Sequence, residues 1–288
     1  MALLFGLSFV ATKFALGSIP PFTLIFLRFS IASLFLGILY SRRRNPHPLR
    51  RDRWRMFFAS LIVPGLYFLA ETYGLKLSSA TSVSLLISTI PIFAAIFAFL
   101  ILREKIGLWR GGAIFLSVLG VTIIISGGAG ELQAWRTARL GNLLGLGAAI
   151  CAALYMAMAR DLMSKYSPLT ITTFQAFFAA AIFLPLAGME RFTPQWNSIR
   201  PLTILAVLYL ALFCSVLAFF LWNYGISRLE ASKAAVFTNL VPVFTVIGAS
   251  LFLGEKIHLE QAIGGALVIG GVSLAGAAGG KVPGDGRR

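Results

Sequence analysis

Three ionisable side chains, Lys13, Arg28 and Glu71, lie inside long apolar stretches of this 288-residue sequence. A charge in such a stretch is costly and usually serves a function. The Arg28 guanidinium suits a carboxylate or a phosphate, or a pairing with Glu71, and the sequence leaves these alternatives open. Lys13 is near enough to the end of its stretch for the ammonium group to reach the polar boundary. We therefore predict Arg28 and Glu71, rather than Lys13, as substrate-binding residues.

Pro91 and Pro242 fall near the middle of two other apolar stretches. A proline inside a helix has no N–H, and it leaves the carbonyl four residues earlier without its usual partner. Within a membrane, such a carbonyl needs a protein partner or a water-filled cavity. Ser88 and Asn239 supply polar atoms nearby, either for a central site or only for the break itself. We predict helix breaks at both prolines, next to a substrate site.

The sequence lacks the signatures of an enzyme or a metal site. It contains no HExxH motif and no glycine-rich nucleotide-binding motif, and His47 and His258 lie in connecting segments. Cys151 and Cys214 lie inside apolar stretches, where thiols usually act as small packing residues. We expect no catalytic residue, no metal and no cofactor.

The composition indicates a membrane protein. Hydrophobic residues make up 58% of the chain and charged residues only 12%, too few to cover a soluble protein of this length. A spanning helix needs about 20 apolar residues. Runs of that kind occur at 1–17, 20–40, 56–76, 80–102, 108–127, 141–161, 168–188, 201–224, 232–253 and 260–278. The predicted fold class is all-α integral membrane, with ten transmembrane helices.

The basic charge is unevenly distributed. The formal net charge is +15, and the segment 41–55 is rich in arginine. We interpret that segment as a contact with anionic lipid headgroups, and we expect no nucleic-acid partner. Lys and Arg accumulate on the cytoplasmic side of membrane proteins, and most of the 25 basic residues share one side if the N-terminus is inside. Both termini are therefore predicted to be cytoplasmic.

The chain contains an internal repeat, because residues 73–121 align with residues 224–272 without a gap. Each half holds five predicted helices, an odd number, so the halves must cross the membrane in opposite directions. Glu104 and Glu255 recur directly before the fifth and tenth helices, and we expect them to cap those helices. The predicted parts are a first repeat at 1–127, a connecting loop at 128–140, a second repeat at 141–278 and a cytoplasmic tail at 279–288.

The repeat places Gln175 at the position of Arg28 and Trp222 at the position of Glu71, so the second half lacks the two charges. Tyrosine and tryptophan favour membrane interfaces as well as pockets. Tyr67 and Tyr155 lie away from the helix ends, which favours a pocket. The full set of predicted substrate-binding residues is Arg28, Tyr67, Glu71, Ser88, Tyr155, Gln175, Trp222 and Asn239.

The repeated segment resembles the EamA repeat of the drug/metabolite transporter superfamily. The resemblance rests on the runs 73–80, 102–105 and 119–121 with Pro91, and on their second copies with Pro242. It spans essentially the whole chain and implies a ten-helix carrier with a central cavity and alternating access. Among bacterial members the chain most resembles amino-acid exporters, including YddG-like exporters of aromatic amino acids, which implies the bacterial inner membrane.

We accordingly expect an exporter of neutral amino acids, aromatic ones favoured, or of similar small metabolites. It is expected to work as a monomer in the lipid bilayer, by facilitated diffusion of a small-molecule substrate. One alternative is a sugar-phosphate, nucleotide-sugar or drug transporter. A site that binds phosphate would need several cations inside the membrane, and the chain offers Arg28 and Lys13. Another is a membrane interaction protein or enzyme component without a transport pathway.

Overall fold

The computed structural model describes residues 1–42, 48–102, 108–127, 132–190, 199–228 and 240–279, and every regular element within these ranges is helical. In this part of the chain, six helices are long and apolar enough to cross a membrane: Pro21–Arg42, Arg50–Leu77, Ala80–Phe97, Gln133–Ala159, Pro168–Met189 and Pro201–Gly225. Four shorter apolar helices are Ala2–Ala15, Gly111–Ser126, Leu240–Leu253 and Leu259–Leu274. The predicted all-α class is thus confirmed for the residues that the structure describes.

The helices are numbered in chain order. They are α1 (Ala2–Ala15), α2 (Pro21–Arg42), α3 (Arg50–Ser60), α4 (Tyr67–Leu77), α5 (Ala80–Ile87), α6 (Ile90–Leu102), α7 (Leu108–Ser126), α8 (Leu132–Lys165), α9 (Pro168–Met189), α10 (Pro201–Leu208), α11 (Phe219–Arg228), α12 (Leu240–Gly248) and α13 (Leu259–Gly279). The π-helical segments are Leu61–Leu66, between α3 and α4, Tyr209–Ala218, between α10 and α11, and Ala249–Leu253, after α12.

The loop predicted at 128–140 is mostly helical, which corrects that prediction. The helix α8 begins at Leu132 and runs for 34 residues, while residues 128–131 lie outside the described part. Residues 132–140 contain neither glycine nor proline and are rich in good helix formers, so the helix continues outward from its apolar part.

Large apolar side chains cover much of the outer surface. Leu34, Phe177, Leu251 and Phe252 are each more than 60% exposed, at 70, 66, 74 and 72%. Water would penalise such a surface, whereas lipid tails are as apolar as the side chains themselves. The outer surface therefore suits a bilayer.

The helices α7 and α13 pack closely and run antiparallel. Gly120 faces Gly264, where an added Cβ on Gly120 would lie 2.5 Å from the Gly264 carbonyl oxygen. Towards the other end, a Cβ on Gly271 would lie 2.7 Å from the Ala113 carbonyl oxygen. Only small residues allow two backbones to approach so closely.

Two carboxylates join the ends of neighbouring helices. Glu190, just after α9, accepts hydrogen bonds from the backbone N–H groups of Phe22 (3.1 Å) and Thr23 (2.8 Å) at the start of α2. Glu255 accepts from the backbone N–H groups of Ala80 (2.8 Å) and Thr81 (3.1 Å) at the start of α5. A carboxylate satisfies the free donors at a helix N-terminus. Glu255 therefore does cap a helix, but α5 rather than the helix that follows it in the sequence, because α5 starts beside it in space.

The clearest break among the described helices lies at Val63, before Pro64, where the backbone leaves helical geometry (φ −133°, ψ 114°). This break was not predicted. In the repeat, residues 61–66 correspond to residues 212–217, inside the π-helical segment Tyr209–Ala218. The same region of both halves is therefore distorted, and π-helical segments often mark functional sites.

The helix break predicted at Pro91 is present, but it lies just before the proline. The helix α5 ends at Ile87 and α6 begins at Ile90, so Pro91 is the second residue of α6, where a missing N–H costs little. Pro242 is the third residue of α12. The residues before Leu240 lie outside the described part, so the break predicted at Pro242 stays a prediction.

Candidate functional site

A cavity of about 80 Å³ lies between helices of both halves of the chain. We call it the central cavity. It is lined by six of the predicted substrate-binding residues, Arg28, Tyr67, Glu71, Ser88, Tyr155 and Trp222. Most of the other lining side chains are apolar: Phe5, Phe9, Val63, Phe68, Ile87, Ile90, Ala152, Phe219 and Val241. A few water molecules would fit this volume.

Arg28 reaches the central cavity from α2 and is 2% exposed. Its Nε–H donates a hydrogen bond to Ser215 Oγ at 2.9 Å. Its guanidinium carbon lies 4.4 Å from the ring centre of Phe68 and 5.4 Å from that of Phe29, which are cation–π distances. These contacts hold the guanidinium in place without neutralising its charge.

Glu71 reaches the same cavity from α4 and is also 2% exposed. Its Oε2 atom has no hydrogen-bond partner within the described ranges. No ion pair joins Glu71 to Arg28 in that part of the chain either, so the direct pairing that the sequence left open is not formed. A buried carboxylate oxygen without a hydrogen-bond donor is costly, which makes Glu71 Oε2 a candidate for binding a donor group of a ligand.

Gln175 does not line the central cavity itself but a small cavity beside it, and it belongs to a buried polar network. Its Nε2 donates to the carbonyl oxygen of Val63 at 3.2 Å, at the helix break. Asn223 Nδ2 donates to Gln175 Oε1 and to Thr172 Oγ1, both at 2.9 Å, and Tyr155 Oη donates to Asn223 Oδ1 at 3.3 Å. The network therefore connects the break in the first half to the wall of the cavity.

Ser88 lines the cavity, and its side chain also hydrogen-bonds to a backbone carbonyl of its own helix. Its Oγ donates to the Leu85 carbonyl oxygen at 2.7 Å, and Thr89 Oγ1 donates likewise to Leu86. These bonds satisfy carbonyls at the gap between α5 and α6. Asn239, the remaining predicted residue, lies outside the described part.

Several residues of the site were not predicted from the sequence. Asn223 is an amide inside an apolar stretch, so the same rule that indicates Arg28 and Glu71 also indicates Asn223. The Pro64–Gly65 pair is a recognisable break signal. Ser215 and Phe68 carry no such signal, because serine and phenylalanine are common in spanning helices, and only their contact with Arg28 sets them apart.

A row of cavities leads from the central cavity towards one end of the molecule, between α3 and α8. Next to it lies a small cavity of about 10 Å³, which shares Tyr155 with it. Beyond that lies a wider pocket of about 360 Å³, which shares Leu162 with the small one and contains Arg55 and Asp161. The small cavity has the smallest volume in this row.

Polar contacts join α3 and α8 at the end of this row. Arg55 Nη1 lies 2.9 Å from Asp161 Oδ2, and Lys165 Nζ lies 2.8 Å from the same oxygen. Tyr166 Oη donates to Asp52 Oδ2 at 2.7 Å. Burial, together with this hydrogen bond to Asp52, raises the pKa of Tyr166, so the hydroxyl stays protonated as a donor.

Comparison with known proteins places the chain among transporters. The EamA-like transporter family matches residues 1–126 and 139–277. The uncharacterized transporter YetK of Bacillus subtilis (strain 168) is 35% identical over 269 residues, which cover 93% of this chain and 82% of YetK. An uncharacterized transporter of Archaeoglobus fulgidus is 32% identical over 269 residues, which cover 93% of this chain and 91% of the relative.

The fold also resembles a solved crystal structure of a protein, with a TM-score of 0.63 over 95% of this chain and 97% of the other. At 19% identity, that likeness concerns the fold alone. The family match covers most of the chain, in agreement with the resemblance seen in the repeated segment, and the chain belongs to the EamA-like transporter family.

Proposed function

We propose that this transporter carries neutral amino acids, or similar small metabolites, through the central cavity by alternating access. The observation that supports it most directly is the pair of buried, opposite charges on the cavity wall. Arg28 and Glu71 are each 2% exposed and line the cavity together with aromatic and apolar side chains. A ligand with an ammonium group, a carboxylate and an apolar part matches such a wall.

Two inverted five-helix repeats are part of this proposal. Helices at equivalent positions of the repeat lie antiparallel: the start of α2 meets the end of α9, through Thr23 and Glu190. The start of α5 likewise meets Glu255 after α12, and α7 runs against α13. Antiparallel equivalents are expected when two halves cross the membrane in opposite directions.

A phosphate-bearing substrate fits the cavity less well. Among the described residues that line it, Arg28 is the one cation, and Glu71 would repel a second negative charge. Lys13 does not line the cavity, because its Nζ donates to the Leu75 and Ser78 carbonyl oxygens near the end of α4. We therefore propose neutral amino acids rather than sugar phosphates or nucleotide sugars.

Further parts of the proposal are export across the bacterial inner membrane, cytoplasmic termini, a monomeric carrier and facilitated diffusion. The proposal includes aromatic amino acids because the chain resembles YddG-like exporters. The cavity of about 80 Å³ is smaller than the roughly 150 Å³ that holds benzene, so an aromatic side chain would have to displace part of the wall.

The test is flux of radiolabelled neutral amino acids in proteoliposomes. Saturable flux is expected, and filling the cavity by Ala152→Phe or Ser88→Phe should slow it at least about tenfold by blocking the site. Gly147→Phe is the matched control for Ala152→Phe, because it lies on the same helix α8 with open space around it. Absence of flux for every neutral amino acid would refute the substrate class, and equal slowing by Gly147→Phe would move the site elsewhere.

A further inference from the structure

The central cavity holds two opposite charges apart from each other. Arg28 on α2 and Glu71 on α4 both line it, and no ion pair joins them within the described residues. We propose that they bind the two charged groups of one zwitterionic α-amino acid, with its carboxylate on the Arg28 guanidinium and its ammonium group on Glu71 Oε2. This inference rests on the transport function proposed above and assigns the orientation of the substrate.

The Arg28 side of this clamp is oriented before a ligand arrives. Ser215 Oγ takes the Nε–H, and the Phe68 ring covers one face of the guanidinium at 4.4 Å. The N–H groups on the two Nη atoms remain, and they lie in one plane with a spacing that matches the two oxygens of a carboxylate. A substrate carboxylate would also supply the negative charge that the buried guanidinium lacks.

The Glu71 side offers an acceptor without a donor. Its Oε2 atom is buried and makes no hydrogen bond in the described part of the chain. An ammonium group has three N–H donors and no acceptor, so it would satisfy this oxygen and contribute the opposite charge. An amine without a carboxylate would leave Arg28 unpaired, and an acid without an ammonium group would leave Glu71 unpaired. Both losses are expensive inside a protein, so the clamp selects zwitterions.

The test measures binding by titration calorimetry on the purified full chain in detergent. The probes are L-alanine, propionate, which lacks the ammonium group, and ethylamine, which lacks the carboxylate. The unmodified protein should bind alanine roughly tenfold to a hundredfold more tightly than either analogue, since a charged hydrogen bond contributes that much. L-phenylalanine, 3-phenylpropionate and phenethylamine form a second set for an aromatic side chain.

Three variants separate the roles of the two charges. Glu71→Gln should lower the affinity for alanine to near that of propionate and leave propionate unchanged or bound more tightly. Arg28→Gln should lower the affinity for alanine to near that of ethylamine. Glu71→Asp keeps the charge, so it should retain the preference for alanine, which tests the clamp even where the neutral variant folds poorly. A purely structural role for Glu71 would not change this order of preference.

Glu260→Gln and Arg139→Gln are matched controls, because both side chains lie outside the cavity, and they should leave the selectivity as it is. Equal affinity for a zwitterion and its two analogues, or unchanged selectivity in Glu71→Gln, would overturn the clamp. If amino-acid flux persisted with that result, the proposed transport would stand without the clamp. If no neutral amino acid were bound or transported, the clamp and the proposed substrate class would both be wrong.

Discussion

At the scale of single residues, the charges inside the helices have different roles. Arg28 and Glu71 line the central cavity, whereas Lys13 joins two helices. Lys13 Nζ donates to the Leu75 carbonyl oxygen at 2.6 Å and to the Ser78 carbonyl oxygen. The carbonyls at a helix C-terminus lack partners within the helix, and a cation satisfies them well.

We predict that Lys13→Met destabilises the protein without changing its substrate selectivity. The variant leaves the carbonyls at the end of α4 without this donor, at a cost of about 2 kcal/mol. Thermal unfolding in detergent and binding of the alanine set would measure both effects. Lys76→Met is the matched control, since Lys76 is exposed on the same helix. A Lys13→Met protein of unchanged stability but altered selectivity would assign Lys13 to the substrate site.

At the scale of helices, the break at Val63 depends on a neighbour from the other half. Gln175 on α9 donates to the Val63 carbonyl oxygen and accepts from Asn223 on α11. A free carbonyl inside a membrane must be satisfied by protein or water. The distorted geometry of the π-helical segment Leu61–Leu66 is therefore stabilised by a hydrogen-bond network to which three helices contribute.

We predict that Gln175→Leu lowers stability by about 1 to 3 kcal/mol and slows transport. The leucine removes the donor to Val63 and the acceptor for Asn223, so two buried polar groups lose partners. Unfolding and flux measurements test this, with Gln133→Leu as a control at an exposed position on α8. Normal stability and flux in Gln175→Leu would show that water replaces the side chain.

The contact between α3 and α8 borders the wider pocket of the row. Under the proposed alternating access, we expect α3 and α8 to move apart here. Arg55 and Asp161 lie 2.9 Å apart across this contact. We predict that the double variant Arg55→Cys and Asp161→Cys, in a Cys151→Ala and Cys214→Ala background, loses flux when a short reagent links the two thiols. Reduction of a cleavable link should restore it. Each single cysteine variant is the control, and unchanged flux after complete cross-linking would place the pathway elsewhere.

At the scale of the molecule, contacts between connecting segments agree with the predicted topology. Asp52 and Tyr166 touch, and both lie in connections predicted to be cytoplasmic. Thr23 and Ala80, at the starts of α2 and α5, meet Glu190 and Glu255, all at the end of the bundle predicted to lie on the opposite side. Each contact thus joins segments assigned to the same side of the membrane from the sequence.

We predict that cysteines at Arg51 and Gln133 react with impermeant reagents from opposite sides of the membrane. Both positions are exposed, and they flank an odd number of predicted spans. The background again carries Cys151→Ala and Cys214→Ala. In right-side-out vesicles, Gln133→Cys should be labelled and Arg51→Cys should react only after permeabilisation. Labelling of both from one side would refute the inverted repeat.

The sequence by itself determined the helical class, the apolar stretches, the repeat and the family resemblance. The physical reason is that a spanning helix satisfies its own backbone, so hydropathy along about 20 residues is enough to reveal it. Buried charges such as Arg28 and Glu71 are equally visible, because few exist in such stretches. Six of the eight predicted residues consequently line one cavity.

Only the tertiary structure decided which side chains meet. Arg28 contacts Ser215, which is 187 positions away in the chain, and Glu255 caps α5 rather than the next helix. Gln175 supports the break at Val63 and lines the small cavity instead of the central one, and nothing in the local sequence indicates this. Contacts between helices depend on how the whole bundle packs, and helix packing in lipid is governed by shape and polar matching rather than by hydropathy.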